Sequence, residues 1–383
     1  MKIYIYLILL LFLAKCQSPN KKENVNTISK KKPIQKNEMV EDSIISFLLD
    51  KQTNPYFRSA DYDFKNKVFS FINVKNSNFY IYEDSVNFIK TKLSLTGPNG
   101  LGNLMLVKHK YVSHDSILMY HANKLKLFLV NSKGKIKRKY SLRNKDLYAP
   151  YYSQITPIQT KGNSVFFPIT RENHFFKMSA NKSVLEVNLK DNSLKYHIKY
   201  PKVYDKKFWG SQFKYENSIA LKGNTLHVLY PISDTVQTKN IKTGQEENYL
   251  AKSQYIDDFK YFREIETKED LKNHDFIAEK NFSLSQSDHT AILYHDTLNL
   301  FFVINYLRPD LENVRKDYKI PDFSVAFFDE KFQKLGERKF KSKKYFHTLI
   351  FKHKKGLMIG RRDLYRKNEN KLTFSIFEIK DTL

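Results

Sequence analysis

The chain has 383 residues, 41% of them hydrophobic and 28% charged, with only 11 Gly and 11 Pro. That excludes collagen-like, proline-rich and wholly disordered classes and leaves ample material for a packed core. Lys and Arg number 66 against 40 Asp and Glu, a net charge of +26, which bears on solubility and attraction to anions rather than on fold.

From the N-terminus, Met1-Lys2 gives a short basic start and Ile3 to Ala14 is an unbroken apolar run of 12 residues. The run is short for a bilayer span and suits the apolar core of a secretory signal. It ends in Leu13-Ala14-Lys15-Cys16, and Cys16 is the only cysteine, so an intramolecular disulfide is excluded. A leucine three residues before a cysteine is the pattern of a lipoprotein signal, in which the thiol is acylated, although Lys15 stands where a small residue is usual. The expectation is a signal peptide over 1–15 and lipidation of Cys16; an uncleaved anchor or a plain secretory signal are the alternatives.

Residues 16–40 read as a tether. The part from 17 to 37 holds six lysines, one glutamate and no aromatic residue, too little apolar area to offset the entropy of ordering. Its lysines could touch anionic headgroups or act simply as a solvated spacer.

The folded domain is placed at 41–383. Its 25 Tyr and 30 Phe favour β-structure. Short β-rich runs alternate with polar turns in six stretches: Lys67–Tyr82, Ser116–Tyr140, Val184–Ile198, Thr225–Tyr249, Ala291–Phe340 and Tyr345–Ile379. Several runs alternate apolar with polar residues, as half-buried strands do. A spacing of roughly 45–60 residues is near that of a four-stranded propeller blade. The expected fold is all-β: a six-bladed β-propeller of antiparallel sheets, with a short helical insertion near 255–272. A strand near Phe374–Ile379 is expected to close the ring against strand material before Asp61, removing an exposed edge.

The order of several short motifs resembles a known family. They are Leu93–Leu104 followed by His114-Asp115-Ser116-Ile117; Tyr200-Pro201 with Phe208-Trp209-Gly210; Tyr215–Ile219; Tyr249–Ser253; Ile292–Tyr306; and Phe323–Phe340. Together they are similar to a Bacteroidota family catalogued as domain of unknown function 4221, over most of the chain from about residue 45. The resemblance implies a lipid-anchored, propeller-like protein of the cell envelope, and no activity.

Candidate sites are sparse. Gly97-Pro98-Asn99-Gly100-Leu101-Gly102 lacks the Lys-Ser/Thr and the helix of a phosphate loop and reads as a turn. The 11 histidines form no H-E-x-x-H pair. His289 and His295, six apart in a strand, would stand about 20 Å from each other at ~3.3 Å per residue, so no metal site is expected. No cofactor loop or nucleophile elbow is present. Asp followed by Ser or Thr and an aliphatic residue recurs at Ser43, Ser85, Ser116, Thr235 and Thr297. These are either O-glycosylation acceptors or turn caps before buried strands. Nine Lys or Arg and no acid lie between Lys124 and Lys145, read as protection of an outer blade edge or as a polyanion surface. Trp209, Tyr255, Asp257 and Asp258 are the candidates for a ligand mouth, although Trp209 reads rather as core.

The functional expectation is a monomeric, extracytoplasmic lipoprotein, held to the outer membrane or cell envelope through Cys16. Its propeller would act as a non-enzymatic binding module for a protein, glycan or other anionic ligand. No nucleic-acid partner and no cofactor are expected. The alternative is a propeller enzyme acting on glycans or peptides, with residues drawn from several blades.

Overall fold

Each of the six repeated stretches falls in a different antiparallel sheet, five of four strands and one of five, and the six sheets are the blades of a propeller. The computed structural model describes residues 37–381, save 54–56, 98–99, 145–147, 152, 154, 172–174, 268, 273–274 and 317–319. Cys16, the expected signal and nearly all of the expected tether lie outside the described residues.

From the innermost strand outward, blade 1 is Phe57–Asp63, Val68–Asn73, Asn78–Tyr82 and Phe88–Lys92. Blades 2, 4 and 5 repeat this path from Val107–Ser113, Ser218–Lys222 and Asp288–His295. The second strand of blade 1 is buried along its whole length, whereas the outermost strand is mostly exposed. This gradient has a simple cause: middle strands are covered on both faces by neighbouring blades, and the outer strand is a sheet edge. The edge strand Ile136–Ser141 of blade 2 exposes Lys137, Arg138 and Lys139, charges that disfavour pairing with another chain.

Aromatic residues fill the seams. Phe69, Phe71, Tyr80 and Phe374 pack between blades 6 and 1, and His227, Phe301, Phe328 and Phe332 between blades 4 and 5. Burial of such rings contributes about 1.5–3 kcal/mol each before entropy is counted.

Blade 6 closes the ring. Its strands Tyr345–His353, Gly356–Arg361 and Lys371–Asp381 come from the C-terminus, and its outermost strand is Asn37–Leu48. The register runs from Asn37 opposite Asp381 to Leu48 opposite Lys371, with a bulge between Glu41 and Ser43. Closure by the last strand against material before Asp61 is therefore observed. The closing strand begins four residues ahead of the boundary expected at 41, and Met39, within that difference, is 1% exposed.

Blade 3 departs from the pattern. Its innermost position is shared by two short strands, Tyr148–Pro150 and Gln159–Lys161, both paired with Ser164–Arg171. The chain between them leaves the sheet and enters the axis of the ring. There Ile155 packs in one cluster with Leu293 of blade 5 and Ile350 of blade 6. The Thr156 hydroxyl bonds Ser218 Oγ at 3.2 Å. Pro150 and Pro157 bracket the excursion, where proline removes the ladder donor.

The helical insertion also differs from expectation. Within 255–272 the chain is mostly irregular, pairing only at Arg263–Glu264 and making one short 3₁₀ turn at Glu269–Lys272. The helix, α1, follows at Phe276–Ser285, with Asp275 accepting from the Ala278 N–H at 2.9 Å as its cap. Ile256 and Ile265 are each buried, so these apolar residues anchor an extended path rather than one face of a helix. α1 rests on the loop at Gly210, whose φ of 93° and missing Cβ leave room for Ser283 Oγ. Two further helices are short: α2 at Leu311–Lys316 and α3 at Arg362–Lys367.

Candidate functional site

The innermost strands converge on the axis, and Ile155 and Pro157 of the blade 3 excursion line the chamber between them. The chamber is a cavity of about 410 Å³ lined by the ends of those strands: Tyr62–Lys65, Lys110–Val112, Pro157–Thr160, Leu221, Leu293, Asp296 and Lys352. A neck of about 50 Å³ continues inward past Asp61, Lys108, His109 and Ile155. Tyr62, Lys110, Pro157, Leu293 and Lys352 border both spaces.

Polar groups in the neck are firmly held. Ring nitrogens Nδ1 and Nε2 of His109 bond Ser59 Oγ at 2.7 Å and Ser70 Oγ at 2.9 Å, and the His109 backbone N–H donates to Ser59 Oγ at 2.8 Å. Burial pushes the imidazole down to about 3, so it is neutral near pH 7. Asp61 accepts from Lys110 Nζ at 3.1 Å and from the Tyr111 N–H at 2.9 Å. Burial pushes this carboxyl up, but Lys110 beside it prevails and holds it below its ordinary value. Burial likewise lowers the Lys108 ammonium to about 8.

In the wider chamber, Asp296 pairs with Lys65 and stands 4.0 Å from Lys352 Nζ. The Lys352 ammonium lies 5.5 Å from the centre of the Phe64 ring. Burial, Lys110 and Lys65 push it down, opposed by Asp296 and Asp61.

These buried histidines make stability depend on acid. His227, 4% exposed, is lowered by burial to about 4, and His109 is 1% exposed. Both folded values lie below the unfolded ~6.5, so the unfolded chain binds protons that the native chain refuses. Stability is complete above pH ~6.5 and is lost as pH falls toward 4, by about 1.4 kcal/mol per unit and histidine. Denaturant melts at pH 7 and 5 are expected to differ by about 4 kcal/mol from this pair, and His109→Gln should remove roughly half of that difference. An unchanged midpoint would contradict the assignment.

The residues expected at a ligand mouth are not brought to this chamber. Trp209 is 3% exposed, packed against Tyr204 and receiving no part of the chamber wall; its backbone N–H donates to Tyr215 Oη at 3.0 Å. Tyr255, 40% exposed, and the exposed Asp257 and Asp258 sit on the insertion leading to the start of strand Asp288–His295. The chamber opens at the other ends of the innermost strands. His289 bonds Asn305 of its own blade and Asp234 of blade 4, and His295 bonds the His353 carbonyl of blade 6, so both are occupied in holding blades together. Among the described residues no group of three His, Cys, Asp or Glu could hold a metal ion, and no helix is long and apolar enough to cross a membrane.

The Asp-Ser/Thr positions are dispersed. Ser43 is exposed on the closing strand, Ser85 and Thr297 are exposed in turns, and Ser116 and Thr235 are half-buried. Asp84 accepts from the N–H groups of Val86 and Asn87 at 2.8 and 2.7 Å, the geometry of a turn cap.

Comparison with known proteins bears on the whole ring. The sequence model of the family described as "Domain of unknown function (DUF4221)" matches residues 39–339. The chain belongs to this family. The crystal structure of a DUF4221 member from Bacteroides vulgatus is similar at 22% identity, covering 91% of this chain and 99% of that one, with a TM-score of 0.75. A protein of Bacteroides fragilis described as exported is similar at 10% identity, covering 92% and 98%, with a TM-score of 0.52. At these identities the likeness is one of fold. A search of curated proteins gives no match. Within the DUF4221 ring, the chamber residues were hidden from sequence reasoning because Lys110, Asp296 and Lys352 belong to three different blades.

Proposed function

We propose that this DUF4221 protein is a cell-envelope lipoprotein whose propeller binds a ligand in the axial chamber without transforming it. The observation that carries the reading is the chamber itself, a cavity of about 410 Å³, within the ~300–1,000 Å³ typical of small-molecule sites. Its groups are suited to holding rather than reacting. The one imidazole in the neck has both nitrogens engaged by serines, whereas a general base needs a nitrogen within reach of substrate. Asp61 and Asp296 are engaged by lysines, and Asp63 by its own turn. The lipid attachment at Cys16 and the extracytoplasmic address rest on the apolar run and the Leu-Ala-Lys-Cys ending, supported by the family resemblance.

The test is a thermal melt of the protein from Gln35 onward against glycans, peptides and small anions. This segment forms one compact unit. A ligand at about 100 times its Kd adds roughly 2.7 kcal/mol. The shift should vanish when Pro157 or Tyr62 of the chamber wall is replaced by a bulkier or smaller residue that still folds. Conversion of the bound ligand into product by the purified protein would overturn the non-enzymatic reading. For the address, Cys16→Ala in the full chain should move the protein from the membrane to the soluble fraction, and retention there would overturn lipid anchoring.

A further inference from the structure

The chamber's charges point to the kind of ligand, an inference that rests on the binding reading above. Five charged side chains from four blades influence one another there: Asp61 and Lys65 of blade 1, Lys110 of blade 2, Asp296 of blade 5 and Lys352 of blade 6. Lys110 and Asp61 form one pair at 3.1 Å. Lys65 takes Asp296, leaving Lys352 at 4.0 Å from that carboxylate and sharing it. Asp63, a further acid of the wall, faces its own turn, accepting from the N–H groups of Lys65 and Asn66 at 3.0 and 3.3 Å and from Asn66 Nδ2 at 2.7 Å. With Lys108 of the neck and Asp63 of the wall included, four ammonium groups face three carboxylates. The excess is one positive charge, centred on Lys352, in a recess where field lines concentrate.

The surrounding wall is of a different character. Tyr62, Phe64, Pro157 and Leu293 present ring and aliphatic surface beside the Lys352 ammonium. Such a wall holds a ring or an apolar body, while the lysine fixes one anionic group, the division of labour usual in small-molecule sites.

We infer that the chamber takes a small molecule bearing one carboxylate-type anion on a ring-containing body, with the anion seated against Lys352 and the body against Tyr62 and Phe64. An acidic sugar and an aromatic amino-acid derivative share that chemistry. Matched pairs separate the two sources: glucuronic acid against glucose, and N-acetyltyrosine against N-acetyltyrosinamide.

Calorimetric titration of the protein from Gln35 onward is expected to show binding of the acid of at least one pair, at least about tenfold tighter than its neutral twin, equivalent to ~1.4 kcal/mol. Lys352→Gln should abolish that preference, Lys352→Arg should keep it, and Lys137→Gln on the outer edge of blade 2 should leave it unchanged. Equal affinity for acid and neutral twins, or a preference that survives Lys352→Gln, overturns the anion assignment and leaves the chamber as a site for neutral ligands. Absence of binding by every acid, while some other ligand stabilises the protein through the chamber wall, overturns it too. A ligand insensitive to every chamber substitution would instead remove the binding reading on which the inference rests.

Discussion

A chain that begins at Leu49 is expected to lose the cooperative unfolding transition shown by one that begins at Gln35. The missing strand, Asn37–Leu48, is the outer strand of blade 6 and pairs along its length with Lys371–Asp381. It also bridges to blade 1. Phe47, 1% exposed, packs 4.7 Å from Phe69 and 5.5 Å from Tyr82, ring centre to ring centre. Tyr82 Oη donates to the Leu48 carbonyl at 2.7 Å, and the Leu48 N–H donates to the Ser85 carbonyl at 3.0 Å. Deleting the strand therefore opens the ring at one seam and bares the Lys371–Asp381 edge to other chains. Phe47→Ala alone should cost about 3–5 kcal/mol, a large part of the 5–15 kcal/mol typical of a domain. Urea denaturation followed by tyrosine fluorescence measures both; an unaltered midpoint for the deletion would refute closure by this strand.

Asp288→Ala is expected to destabilise the protein by about 3–5 kcal/mol, whereas Lys214→Met should cost far less. Asp288 is 3% exposed and lies between two cations, with Lys214 Nζ at 2.5 Å and Arg308 Nε at 2.9 Å from the same carboxylate oxygen. Burial pushes the carboxyl up, but Arg308 and Lys214 prevail and keep it ionised. Removing it leaves two positive charges facing each other in a space from which water is excluded. Removing Lys214 leaves the Asp288–Arg308 pair intact, and Arg308 keeps its place over the Phe213 ring at 4.8 Å. The folded value of Asp288 lies below its unfolded one, so its contribution is present above pH ~4 and fades as pH falls further. Equal losses from the two substitutions would show that the triad is not organised around the carboxylate.

The strands were legible because blades repeat a physical requirement. A residue in a middle strand is covered on both faces, so Val68–Asn73 and Asn78–Tyr82 read as short apolar runs between polar turns. Ring closure was legible for the same reason, as a leftover C-terminal strand needs a partner. The helix was not placed correctly because an exposed insertion has no core to impose a period. α1 even leaves Phe276 and Ile277, 74% and 71% exposed, in its first turn. Asp275 was the available signal, a cap residue just ahead of the helix. Pro150 and Pro157 were an available signal of a break in blade 3, though not of the chain's turn into the axis. That direction depends on Leu293 and Ile350, more than a hundred residues away and on the far side of the ring. The chamber's charges were illegible on the same ground, since Lys110, Asp296 and Lys352 meet only when all the blades are in place.

Closure by the first strand also imposes an order of events on biosynthesis. About 320 residues separate Leu48 from its partner Lys371. At roughly 5–20 residues per second, the ribosome needs on the order of 15–65 s to make that stretch. Throughout this interval the strand that will seal the seam has no ladder to join, and the ring lacks its sixth blade. The seam cannot be sealed until the eleven-residue strand Lys371–Asp381 has been made. Completion of the ring therefore waits on the strand that lies farthest along the chain from its partner.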